Sequence, residues 1–114
     1  MEDSPTQEFD ISIKIKLDVD NSPVAMTWST SDGNALAEPI KAMYLSLCDS
    51  EQNETIKIDL WTKQMSTEDM KNFFHKAMIS MTDSFEKATG ETEICKELRH
   101  NFDQFAHKMN ILSK

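Results

Sequence analysis

The chain of 114 residues contains only two glycines and three prolines. Tight turns are therefore scarce, and long regular elements must make up most of the fold. There are two cysteines, Cys48 and Cys95, without CxxC or zinc-ligand spacing. Basic residues are the minority, 12 against 20 acidic, for a net charge of −8. That balance argues against nucleic acid, whose binding depends on neutralising phosphates, and against docking on anionic lipid. No apolar run is long enough to span a bilayer. No P-loop, dinucleotide fingerprint, HExxH, GxSxG or EF-hand pattern occurs. The opening MEDSPTQEFD is acidic and lacks the basic and apolar regions of a secretory leader. The expected compartment is the cytoplasm, where both thiols stay reduced.

What is present is a clear division into strand and helix. Phe9, Ile11, Ile13, Ile15, Leu17 and Val19 alternate with Asp10, Ser12, Lys14, Lys16 and Asp18, the period-2 pattern of a strand with one wet face. Asp20-Asn21-Ser22-Pro23 is a turn, and a second strand places Val24, Met26 and Trp28 on one face and Ala25 and Thr27 on the other. Residues 29–38 form a loop around Asp32-Gly33-Asn34. Residues 40–48, IKAMYLSLC, fit either a helix or a strand; the short length and the polar run 49–54 favour a strand entering a hairpin. A fourth strand follows over 55–62, with Ile56, Ile58 and Leu60 alternating with Lys57, Asp59 and Trp61. Helix one is expected from Ser66, an N-cap, to about Ala88, carrying Met70, Phe73, Phe74, Ala77, Met81, Phe85 and Ala88 on one face. Gly90 ends it. Helix two covers about 91–112, with the stripe Ile94, Cys95, Leu98, Phe102, Phe105, Met109 and Leu112. Strands first and helices second indicate an α+β class. The expected architecture is a four-stranded antiparallel sheet followed by an antiparallel helical hairpin packed on one face. Residues 1–7 would be a flexible N-terminus, and 8–114 a single domain.

Chemistry-bearing residues are few. His100, Asp103 and His107 fall on the solvent side of helix two, and the two histidines are two turns apart, too far to share one ion easily. His75 faces away from the apolar side of helix one, with no carboxylate beside it in sequence. Cys95 lies near the core stripe, as a buried inert thiol would. These placements lead to no expected catalytic residue, no metal and no cofactor. Parity puts Tyr44 and Cys48 of the third strand and Trp61 of the fourth on the outer sheet face, beside Ala25 and Thr27. Tyr and Trp dominate interface hot spots, so this face reads as a contact surface, with an equal alternative that Trp61 folds over the sheet edge. Tyr44 and Trp61 would be apolar anchors, and Asp59 a charge for a basic partner, with Lys63 close by.

The run IDLWTKQM at 58–65, followed by Met70, Lys71, Phe73, Phe74 and His75, resembles the GldC family of gliding-motility proteins. PVAMTWSTSDG at 23–33, LSLCDS at 45–50 and DSFEKATG at 83–90 agree with it. Cys48 departs from the aromatic, often Trp, expected at that place. The resemblance implies a small cytoplasmic accessory protein of gliding motility, tied to an envelope secretion and motility machine, with no activity or cofactor attached. The expected function is a non-enzymatic binding module with protein partners in that apparatus, no nucleic acid and no membrane insertion, self-association being open. The alternative is a chaperone of the SecB type that binds unfolded export substrates, which the order of strands then paired helices loosely resembles.

Overall fold

The computed structural model describes residues 7–111, so of the expected flexible segment 1–7 only Gln7 is described, and Leu112 also lies outside the described residues. The chain divides into two compact units, one ending at Met65 and one beginning at Ser66. Each has its own architecture.

The first unit holds five strands: β1 (Ile11–Leu17), β2 (Pro23–Thr30), β3 (Glu38–Ile40), β4 (Ala42–Cys48) and β5 (Thr55–Trp61). β1 and β2 form the expected antiparallel hairpin, with Ile13 opposite Trp28 and Ile15 opposite Met26. Its turn is held by Asp18, whose Oδ1 accepts the N–H groups of Asp20 (2.8 Å) and Ser22 (3.0 Å), while Asn21 takes φ 63°. Asn is among the few residues that adopt this left-handed conformation at low cost.

The expected single four-stranded sheet is not what forms. β1-β2-β3 make one sheet and β4-β5 another. The ambiguous segment 40–48 is indeed strand, but the extended chain begins earlier, at Glu38, and breaks at Lys41. Its first part pairs with β2 (Met26 opposite Ile40, Trp28 opposite Glu38) and its second with β5. Backbone hydrogen bonding shows why one strand serves two sheets. Ile40 and Glu38 pair with β2, whereas the Lys41 carbonyl accepts the N–H of Thr62 (2.8 Å), beyond the end of β5. Successive peptide groups point to opposite edges of a strand, and the bend at Lys41 sends those edges to different sheets. The loop over 31–37 is shorter than expected. Asp32 organises it by accepting from the Thr30 hydroxyl (2.6 Å) and the Asn34 N–H (2.9 Å), and Ala35 is buried. Met26 and Thr62 are the most buried side chains of this unit.

The second unit is a helical hairpin, α1 (Thr67–Thr89) and α2 (Thr92–Lys108). The N-cap at Ser66 is part of a reciprocal box: its hydroxyl accepts the Asp69 N–H (3.0 Å), and the Asp69 carboxylate accepts the Ser66 N–H (3.2 Å). Gly90 closes α1 with φ 74°, its N–H donating to the Glu86 carbonyl (2.8 Å). The helices meet along a narrower line than the sequence stripes suggest. Cys95 and Ala106 of α2 are fully buried, Thr82 of α1 is buried, and the Cys95 thiol lies 3.9 Å from the Thr82 carbonyl. Small side chains let the backbones approach. Two helices touch along one seam, so Phe74, Met81 and Phe85 of α1 and Ile94 and Phe105 of α2, all assigned to the apolar stripes, are exposed.

Candidate functional site

The β4–β5 ladder positions the residues singled out in the sequence. Tyr44 sits directly opposite Asp59, Ala42 opposite Trp61, Ser46 opposite Lys57, and Cys48 opposite Thr55. Directly opposed residues share a face, so Tyr44, Asp59 and Trp61 do lie together, with Trp61 one pair along from Tyr44. Trp61 is 54% exposed and Tyr44 40%. Ala25 and Thr27, expected to continue this face, belong to the other sheet and have no register with it. The break at Lys41 therefore confines the aromatic surface to a two-stranded ribbon.

Lys63 follows β5 and reaches across the first unit. Its Nζ lies 3.0 Å from Asp18 Oδ2 in the β1–β2 turn. The Asp18 carboxylate is held below the usual range, first by the Ser22 backbone N–H and then by the Lys63 ammonium and the Asp20 N–H. This tie joins residues 45 positions apart, and Lys63 also lines a cleft of about 300 Å³. Pro23, Asp59, Leu60, Trp61 and Lys63 are among its lining residues. The Asp59 carboxylate is 3.1 Å from the ammonium of Lys57 on the same strand face. Both charges assigned to partner recognition thus already have a countercharge within the chain. The indole of Trp61 and the ring of Tyr44 are the large exposed side chains of this face. The arrangement offers a flat aromatic anchor beside a polar-rimmed cleft. Such a surface can bind a peptide or protein segment; it gathers no nucleophile and base.

The remaining candidates fall in the second unit. His75 is not the exposed histidine expected from the helical wheel. Its side chain is only 12% exposed, Asp103 Oδ1 of α2 lies 3.6 Å from its Nε2, and Nε2 makes no hydrogen bond. The seam through Thr82 and Ala106 turns His75 toward α2, which periodicity on one helix cannot reveal. His100 and His107 are exposed. Arg99 of α2 hydrogen-bonds Asp83 of α1 (Nη2 to Oδ1, 2.9 Å) and also Glu86. The guanidinium holds the Glu86 carboxyl below its usual range. Burial pushes the Cys95 thiol up, whereas Cys48 is exposed at the end of β4. Among the described residues, no group of three or more His, Cys, Asp or Glu is placed to hold a metal ion. No helix among them is long and apolar enough to cross a membrane.

Compared with known families, residues 23–111 match the family described as gliding motility-associated protein GldC-like. The match includes the quoted runs at 23–33, 45–50, 58–65 and 83–90 and leaves out β1. No curated protein and no solved structure matches the chain.

Proposed function

We propose, from the premise that this chain belongs to the GldC-like family of gliding motility-associated proteins, that it is a non-enzymatic cytoplasmic accessory module acting through protein contacts. The observation that carries the reading is the exposed pair Tyr44 and Trp61 on one face of the β4–β5 ribbon, beside the cleft that Trp61 and Lys63 line. Large aromatics lose little rotamer entropy on binding and supply most of the energy of interface hot spots. Trp61 is the principal anchor, Tyr44 the second, and the Lys57–Asp59 pair an orienting rim charge. The partner is a component of the gliding or secretion apparatus presenting an apolar side chain flanked by polar groups. The test is crosslinking in gliding cells through a photoreactive amino acid at position 44, with and without Trp61→Asp. One defined adduct lost on substitution supports the reading. An unchanged adduct pattern, or unfolding of the variant, removes it.

A second reading, a chaperone of the SecB type that holds unfolded export substrates, draws on one observation. Large apolar side chains are exposed on several elements, among them Ile11 and Leu17 on β1, Ile56 and Ile58 on β5, and Met81 and Phe85 on α1. Soluble monomers rarely leave so many uncovered. Suppression of the aggregation of a denatured client at stoichiometric ratio separates the two readings: a holdase slows aggregation, and a specific module leaves it unchanged.

A further inference from the structure

The aromatic face of the ribbon has a neighbour of different character, the outer edge of β5. Among the described residues, β5 pairs with β4 alone. Its inward-pointing groups are fixed by two bonds: Asp49 N–H donates to the Glu54 carbonyl (2.8 Å), and Thr62 N–H donates to the Lys41 carbonyl (2.8 Å). Residues 54 and 62 thus turn their peptide groups toward β4. By alternation, Thr55, Lys57, Asp59 and Trp61 turn theirs outward. An edge of unpaired donors and acceptors is a template for another strand.

From this edge we infer that β5 pairs antiparallel with β5 of a second copy of the chain, about a two-fold axis through Ile58, joining two β4–β5 ribbons into one four-stranded sheet. The inference rests on the edge and its charges, not on the aromatic-face reading above. Ile58 is the midpoint of Thr55–Trp61, so this register overlaps the whole strand. It sets Lys57 opposite Asp59 of the other copy, and the symmetry repeats that pairing. Ile58 meets Ile58, and Ile56 meets Leu60, on the apolar face, where Ile56 and Ile58 are 52% and 45% exposed alone. The neighbouring two-fold registers fail. Centring on Lys57 puts lysine on lysine, and centring on Asp59 puts carboxylate on carboxylate. Opposed like charges destabilise strand pairs and opposite charges stabilise them. β1, an edge strand of the three-stranded sheet, contrasts. Its midpoint, within Ile11–Leu17, is Lys14, so full overlap would oppose two lysines. β5 is the self-complementary edge and β1 the self-repelling one.

The experiment uses the full chain in light scattering and sedimentation from about 1 to about 200 µM, where association follows mass action. The expected parent is a dimer in that range. Lys57→Asp and Asp59→Lys, each placing like charges across the axis, weaken dimerisation by about tenfold or more, and the two together restore it. A register test accompanies this. In a Cys48→Ser background, Ile58→Cys forms an intermolecular disulfide on mild oxidation, because a non-hydrogen-bonded pair brings the Cα atoms to about 4.5 Å, within disulfide reach. Ile56→Cys, facing Leu60, does not. A chain monomeric throughout overturns the inference and leaves the edge for a strand of another protein. A dimer indifferent to the charge reversals, or crosslinking through Ile13→Cys of β1 instead, overturns it equally.

Discussion

Gly90 joins the two helices in the left-handed conformation, with φ 74°, and a methyl group built on its Cα would meet nothing within 4 Å. Gly90→Ala is therefore a test of backbone conformation alone, without a clash. Holding an L-residue in that region costs about 1–2 kcal/mol. Replacing glycine also restricts the unfolded chain, which offsets about 0.4–1 kcal/mol. The conformational cost wins, and the expected net loss is about 1 kcal/mol. For a chain of this size that lowers the melting temperature of the helical transition by about 4–8 °C. Gly90→Asn should lose roughly half as much, since Asn visits this region more readily. Urea unfolding followed by helical circular dichroism measures all three chains. An alanine variant as stable as the parent would mean that the cap does not depend on the left-handed turn. A loss above about 3 kcal/mol would mean that the position is crowded.

The first unit should tolerate loss of the proposed anchor. Trp61 is 54% exposed, so Trp61→Ala removes only the buried part of the ring and should cost about 1–2.5 kcal/mol in urea unfolding. Thiol labelling should separate the cysteines: exposed Cys48 reacts at once, and Cys95, fully buried with its pKa raised, reacts only on unfolding. Stability should fall in acid. Asp18, Asp32 and Glu86 all have folded pKa values below their ordinary ones. Each contributes stability above its unfolded value, and that contribution is lost as pH drops toward the folded one. Urea midpoints should be level from about pH 7 to 5 and decline below about pH 4; a midpoint that rises there would contradict the assignment.

The elements were legible because their periodicities are long and clean. The β1–β2 hairpin and β5 stand within two residues of where alternation puts them, and the Ser66 cap and the Gly90 stop where capping chemistry puts them. The α+β class followed from their order. The bend at Lys41 was not legible. Nothing in EPIKAMYLSL marks a break, because the two partners that pull its halves apart lie earlier and later in the chain. That one bend turned four strands in one sheet into two sheets and removed Ala25 and Thr27 from the aromatic face. The candidate site was legible where it depends on parity within one hairpin, as for Tyr44, Asp59 and Trp61. Alternation alone assigns Asp59 to a basic partner, whereas Lys57 on the same strand face already pairs with it. The Lys63–Asp18 tie and the approach of Asp103 to His75 come from tertiary contacts, to which neither local pattern nor composition is sensitive.

We propose that the Tyr44–Trp61 face makes the contact through which the protein serves gliding. The most direct measurement replaces the native gene by the Trp61→Asp variant in a gliding bacterium and records the speed of single cells, with protein level and circular dichroism of the purified variant as controls. The expected result is that gliding is lost or strongly slowed while abundance and fold are retained. Normal gliding by cells carrying a folded Trp61→Asp protein would contradict it.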